Sequence, residues 1–259
     1  MHAAFDLTPD GRHVVLATFE EELYWFDNVK GKATLVSVAA DRRDPEVVWG
    51  PEGRSIAYAA RGKTRRVLRQ KLEGGDPEVL VEGPFSPEHW SRDGRRLALI
   101  ETDARRARIL TVSDSEAPTG LSEDFERLAG LRFSPDGNFI AYAALRTDRW
   151  DVYVSRVPPT EERWQISIDG GVQPRWRGDG KELYYLALDG AVMAADMKLG
   201  ARAESSAPRP LFRAPLRPGW LNEFAVSDDG QRFLFDVPVY TPTTDYIHIV
   251  LNWGLSEPR

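Results

Sequence analysis

Ser134-Pro135-Asp136-Gly137-Asn138-Phe139-Ile140-Ala141-Tyr142 decides the fold, because its first four residues have counterparts along the whole chain. These read Thr8-Pro9-Asp10-Gly11, Gly50-Pro51-Glu52-Gly53, Ser91-Arg92-Asp93-Gly94, Arg177-Gly178-Asp179-Gly180 and Ser227-Asp228-Asp229-Gly230. Successive glycines stand 42, 41, 43, 43 and 50 residues apart. A sustained period of this length means one supersecondary unit stacked on copies of itself.

Alignment on the glycine exposes three apolar columns. Four residues before it stand Leu7, Trp49, Trp90, Phe133, Trp176 and Val226. Three after it stand Val14, Ile56, Leu97, Ile140, Leu183 and Phe233, and five after it Leu16, Tyr58, Leu99, Tyr142, Tyr185 and Phe235. The last two columns share one face of an extended strand, since side chains alternate with period two. The motif is therefore a hairpin turn. Proline presets φ, an acid follows, and glycine takes the positive-φ position.

A third strand follows in every copy: Leu23–Asp27, Val67–Leu72, Arg108–Val112, Asp151–Arg156, Ala191–Met197 and Tyr246–Trp253. Five copies show a fourth: Ala33–Val38, Glu78–Glu82, Pro118–Leu121 (the most weakly marked), Trp164–Ile168 and Pro210–Arg213. Four short antiparallel strands per unit describe a β-propeller blade. The expectation is one all-β domain over residues 1–259, a six-bladed propeller with blades near 4–40, 45–83, 87–123, 129–169, 172–214 and 222–254. The last unit reads as three-stranded, its fourth strand supplied from upstream of Met1, since an open edge is a pairing liability. Trp49, Trp90 and Trp176 are expected to fill the core between blades.

Composition sets bounds on function. A net charge of −6 and a pI near 5.4 argue against a general nucleic-acid binder. The absence of cysteine excludes disulfides, thiolate zinc sites and cysteine nucleophiles. No apolar run reaches the roughly 18 residues of a membrane span, so no insertion by this chain is expected. No secretory signal follows Met1. A cytoplasmic protein is expected if Met1 is the native start, an extracytoplasmic one if the chain is a domain cut from a receptor.

The Ser134–Tyr142 stretch resembles the Pro-Asp-Gly repeat of TolB-like propellers of the WD type, and the pattern covers essentially the whole chain. Gln173-Pro174-Arg175-Trp176-Arg177-Gly178-Asp179-Gly180-Lys181-Glu182-Leu183-Tyr184-Tyr185-Leu186 is similar to the final blades of propellers attached to bacterial serine/threonine protein kinases. So is the stretch Tyr246–Trp253. That resemblance implies a sensor domain of a larger signalling protein. The chain itself carries no Gly-rich phosphate loop, His-Arg-Asp or Asp-Phe-Gly motif.

No chemistry stands out. His2, His13, His89 and His248 lack zinc-site spacing and read as surface or packing residues. There is no Gly-x-Ser-x-Gly, no acidic calcium loop, and a turn role is enough to explain each repeated acid. No catalytic residue, cofactor or metal is expected. The loops are more suggestive. Second-to-third-strand loops and blade-to-blade connections open on one propeller face. They carry Arg42, Arg43, Arg61, Arg65, Arg66, Arg105, Arg106, Arg146, Arg149, Trp150, Arg217 and Trp220. Arginine forks beside an exposed Trp suit a protein partner's acidic segment or a small anionic ligand. The competing reading is a solvated rim balanced by Glu20, Glu21, Glu22, Asp41, Asp44 and Asp103. The expected function is a non-enzymatic sensor or protein-interaction domain. The alternative is a stand-alone glycosidase, lyase or lactonase with its site in the central channel.

Overall fold

All six motif glycines turn at positive φ, from +63° at Gly53 to +74° at Gly94. The reason is visible at Gly137 (φ +71°). Its N–H donates to Ser134 O at 2.8 Å, closing a turn that a Cβ would strain. The first motif residue then clasps the turn. The Ser134 hydroxyl accepts the Phe139 N–H at 3.0 Å and donates to Asp136 Oδ1. Thr8, Ser91 and Ser227 repeat this with the N–H of His13, Arg96 and Arg232. Donation from Ser91 and Ser227 holds the carboxyls of Asp93 and Asp229 below the usual range. Two copies differ. In the second, Gly50 stands where the hydroxyl residue belongs, and a Cβ there would lie 2.3 Å from Ser55 Oγ. In the fifth, Arg177 pairs with Glu182 instead, at 3.2 Å.

The computed structural model describes residues 4–18, 22–37, 46–60, 62–112, 117–121, 127–213 and 224–235. The first blade orders β1 (Ala4–Leu7), β2 (His13–Ala17), β3 (Leu23–Asp27) and β4 (Lys32–Ser37) from the axis outward. The second has β5 (Val47–Trp49), β6 (Ser55–Ala60), β7 (Arg66–Lys71) and β8 (Glu78–Glu82). The third has β9 (Phe85–Trp90), β10 (Arg96–Glu101), β11 (Arg106–Thr111) and a two-residue β12 (Thr119–Gly120). The fourth has β13 (Arg127–Phe133), β14 (Phe139–Arg146), β15 (Arg149–Arg156) and β16 (Arg163–Gln165). The fifth has β17 (Val172–Trp176), β18 (Glu182–Leu186) and β19 (Ala191–Leu199), which pairs with both β20 (Ala203–Ser205) and β21 (Arg209–Arg213). Last come β22 (Phe224–Val226) and β23 (Phe233–Phe235).

The count of blades corrects the sequence reading. The described residues build five complete four-stranded blades, not six, and β22–β23 form a partial blade. The expected third strand Tyr246–Trp253 lies outside the described residues. The ring nevertheless closes through β22, whose neighbours are β17 and β1. A two-stranded sheet suffices for closure because the innermost strand and its hairpin partner supply the apolar contacts to both neighbours. β20 is a second difference. The long β19 runs past its blade and folds back on itself, a hairpin that the repeat alignment does not contain.

Each apolar column fills a gap between neighbouring sheets. Leu23, Val47, Trp49, Ile56 and Tyr58 join the first and second blades, and Val48, Ala57, Trp90, Leu97 and Leu99 the second and third. Phe133, Ile140 and Tyr142 join the third and fourth, and Phe139, Leu183 and Tyr185 the fourth and fifth. The partial blade is gripped from both sides: its Phe224 packs on Tyr184 and Leu186 of the fifth blade, and its Ala225 and Leu234 on Phe5 and Leu16 of the first. Tyr58, Tyr142 and Tyr185 are among the largest fully buried side chains. The tryptophans bridge as well as fill. Trp49 Nε1 donates to Asp6 O and Trp176 Nε1 to Arg132 O, both at 3.0 Å and both on the preceding blade.

Two substitutions test the turn. Ser134→Ala strands the buried Phe139 N–H and should cost about 1–3 kcal/mol in urea unfolding. Gly50→Ser restores the commoner motif residue yet should also destabilise, because Ser55 Oγ already occupies that volume. A neutral or stabilising Gly50→Ser would show that Ser55 Oγ does not exclude a side chain there.

Candidate functional site

The antiparallel order puts every Pro-Asp-Gly-type turn on one face of the ring and the β6–β7, β10–β11 and β14–β15 loops on the other. The arginines of three consecutive blades therefore do share a face. Arg105, Arg106, Arg146 and Arg149 are exposed there, whereas Arg65 and Arg66 are half-buried. Arg65 Nη1 donates to Thr102 Oγ1 at 3.3 Å, tying the second blade to the third. Arg149 Nε donates to Asp151 at 3.1 Å, a carboxylate buried at 5% exposure that also accepts the Ser167 hydroxyl. Trp150 is half-buried, with the Arg127 guanidinium 5.8 Å from its ring centre. Arg42, Arg43, Arg61, Arg217 and Trp220 lie outside the described residues.

Two of these loops hold uncommon backbone. Arg105 sits at φ +57° and Thr147, between Arg146 and Arg149, at φ +63°. For a β-branched residue this conformation is a genuine outlier. Such outliers persist where the surrounding structure over-determines them, often at functional sites. Arg105 and Arg146, the latter next to Thr147, are both exposed on these loops.

The sequence reading named a central channel but missed the ionisable residues on its innermost strands. Five residues before each motif glycine stand Asp6, Val48, His89, Arg132, Arg175 and Ala225. Four of these are ionisable residue types on the innermost strands, directly beside the all-apolar column. They stitch blade to blade. Asp6 Oδ2 accepts the Trp49 N–H at 2.9 Å, and His89 Nδ1 accepts the Phe133 N–H at 3.0 Å. Arg132 Nη1 donates to Glu88 O and to Leu131 O, with the Glu88 carboxylate at 3.8 Å. Arg175 donates to Phe224 O, Pro174 O and Gln173 Oε1. On the turn face Arg92 of the third blade forms an ion pair with Asp228 of the partial blade, three positions round the ring. Asp228 also links its neighbours, donating its N–H to Pro9 O and accepting that of Gly178.

Burial and the charges of Arg132 and Arg175 act on both Asp6 and His89. Burial pushes the Asp6 carboxyl up, opposed by the charges of Arg132 and Arg175. Burial pushes His89 well below its ordinary value of 6.5, reinforced by Arg132, Arg175 and Arg92. His89 is therefore neutral, with its proton on Nε2, since Nδ1 is an acceptor. Among the described residues no group of three or more metal-ligating side chains could hold an ion. No helix of the described residues is long and apolar enough to cross a membrane.

No protein-family model and no curated protein matches the chain. Solved structures do. The putative TolB of Agrobacterium tumefaciens superposes with a TM-score of 0.64 at 20% identity, over 88% of this chain and 86% of that one. The Cps50 (Swd1) β-propeller domain of Myceliophteria thermophila gives 0.66 at 11%, over 90% and 79%. The putative 6-phosphogluconolactonase of Bacteroides uniformis gives 0.58 at 18%, over 90% and 77%. At these identities the likeness establishes the fold: a β-propeller like those of TolB and the WD-type proteins.

His89 predicts a pH dependence. A depressed native value means that the unfolded chain takes up the proton first. Stability is then full above the unfolded value of about 6.5 and falls as pH drops towards the native value, by up to about 1.4 kcal/mol per pH unit. Asp6, whose native carboxyl is raised, works in the opposite direction, so the test is a difference. His89→Gln should flatten the fall between pH 6.5 and about 5 in denaturant titrations, and superimposable pH profiles would show that His89 titrates freely.

Proposed function

We propose that this chain is a non-enzymatic propeller that recognises an acidic partner segment through its loop face, as a sensor or protein-interaction domain of a larger bacterial signalling protein. The supporting observation is the set of exposed arginines, Arg105, Arg106 and Arg146, on adjoining loops of the third and fourth blades. Two of these loops are held in strained, defined conformations. A rigid ring carrying outward guanidinium forks loses little freedom on binding, and such forks match carboxylates. The similarity of Gln173–Leu186 to kinase-attached propellers supports the signalling context.

The enzymatic alternative would use the channel, where Asp6, Glu88 and His89 gather. Its acceptors are engaged in structure: both Asp6 oxygens take backbone N–H groups, Glu88 Oε2 takes that of Leu131, and His89 Nδ1 that of Phe133. Use of any of them as a general base would mean sharing or giving up a bond that holds neighbouring blades together. The interaction reading is therefore favoured.

The structure also selects the right variant. Arg149 neutralises buried Asp151, so reversing it would damage the fold. Arg105→Glu/Arg106→Glu/Arg146→Glu spares that pair and reverses only exposed side chains. Against a panel of Asp/Glu-rich peptides containing one aromatic residue, the wild type should bind with an affinity that falls as salt rises. The triple variant should bind at least about tenfold more weakly, with an unchanged melting temperature. Equal binding, or turnover of chromogenic glycosides or lactones by the wild type, would overturn the reading.

A further inference from the structure

On the turn face, where the first blade meets the partial blade, lies a cavity of about 370 Å³. Its apolar lining comes from Leu7, Val29, Phe233 and Leu234, and two arginines, Arg12 and Arg232, stand in its wall. That volume is within the range of small-ligand pockets, about 300–1,000 Å³, which pair an apolar lining with a few polar groups. Val29 is 75% exposed, the most exposed large apolar side chain among the described residues.

The guanidiniums have donors to spare. Arg232 Nη2 makes one long hydrogen bond, 3.3 Å, to the neutral carbonyl of Asp10. Arg12 has Asp10 Oδ2 at 3.8 Å, an ion-pair distance beyond hydrogen-bonding reach. The nearby acids are committed to their own turns. Asp10 Oδ1 accepts the Thr8 hydroxyl and the Arg12 N–H, and Asp229 Oδ1 accepts the Ser227 hydroxyl and the Gln231 N–H. Asp10 also lines the cavity, so its wall carries two guanidiniums against one carboxylate, a net positive charge beside an apolar lining that suits an amphipathic anion.

We propose that this seam cavity binds a small monocarboxylate with an aromatic or branched alkyl body. The carboxylate would bridge Arg12 and Arg232, and the body would lie on Val29 and Phe233. The two arginines come from opposite ends of the chain and meet where the ring closes, so the ligand would fasten its closure. The site is on the face opposite the arginine loops and is independent of them.

The probes are phenylacetate and hexanoate, each against its amide, followed by calorimetry and thermal melting of the whole chain. The carboxylates should saturate and raise the melting temperature, as any ligand of the native state does. The amides should bind at least tenfold more weakly. Arg12→Gln, Arg232→Gln and Val29→Glu should each weaken phenylacetate at least tenfold, while Arg105→Gln on the far face leaves it unchanged. Arg12 is solvent-exposed and Arg12→Gln keeps the fold testable even if Arg232→Gln loosens the seam. Amides binding as well as acids would overturn the proposal, as would indifference to both arginine variants. So would no saturation by either acid up to about 10 mM, ten times a weak Kd of roughly 1 mM.

Discussion

A four-stranded blade has two faces and no interior of its own, so both faces must be covered by neighbours. This constraint organises the molecule. It accounts for the three apolar columns, each of which lies in a gap between sheets, and for the tyrosines Tyr58, Tyr142 and Tyr185 sunk at the centre of those gaps. Burying one such side chain contributes on the order of 1.5–3 kcal/mol, and the columns repeat it around the ring. It also accounts for β22–β23. Two strands alone would be marginal, but held between Tyr184 and Leu16 they become part of a continuous apolar circuit.

What could be read from the chain follows from the same constraint. The columns four before and three and five after each glycine were legible because one physical requirement, apolar packing at period two, recurs at every copy. The turn was legible because glycine at positive φ and a hydroxyl five residues before its N–H partner have local causes. The channel was not. Asp6, His89, Arg132 and Arg175 occupy one repeat position but share no residue type, and what unites them, a neighbouring strand's backbone, is distant in sequence. The blade count also escaped. A glycine and its flanking strands mark where a blade begins, not how many strands complete it. The arginine loops were visible as composition, but sequence could not tell that Arg149 is bound to Asp151 while Arg146 is exposed.

The two ends of the channel use charge differently. On the loop face the guanidiniums of Arg105, Arg106 and Arg146 point outward from strained turns. Inside, Arg132 and Arg175 spend donors on carbonyls of adjoining strands, and a buried donor left without such an acceptor would be costly. The same residue type is thus exposed to solvent on one side and built into the blade contacts within, where backbone carbonyls are in reach.

The Arg92–Asp228 pair differs from every other link in the ring. All the apolar interfaces, and the stitches at Asp6, His89 and Arg175, run along the circumference, from one blade to the next. This pair runs across a diameter, from the third blade to the partial one. A closed ring resists stretching well and ovalisation poorly, because flattening it needs only small rotations at each joint. With both partners 41% exposed, a tie across the diameter opposes that deformation by no more than about 1 kcal/mol, and less as salt rises. Its anchor, Asp228, is also hydrogen-bonded to the fifth and first blades, so load carried by the tie is shared by the three sheets beside the thinnest part of the wheel.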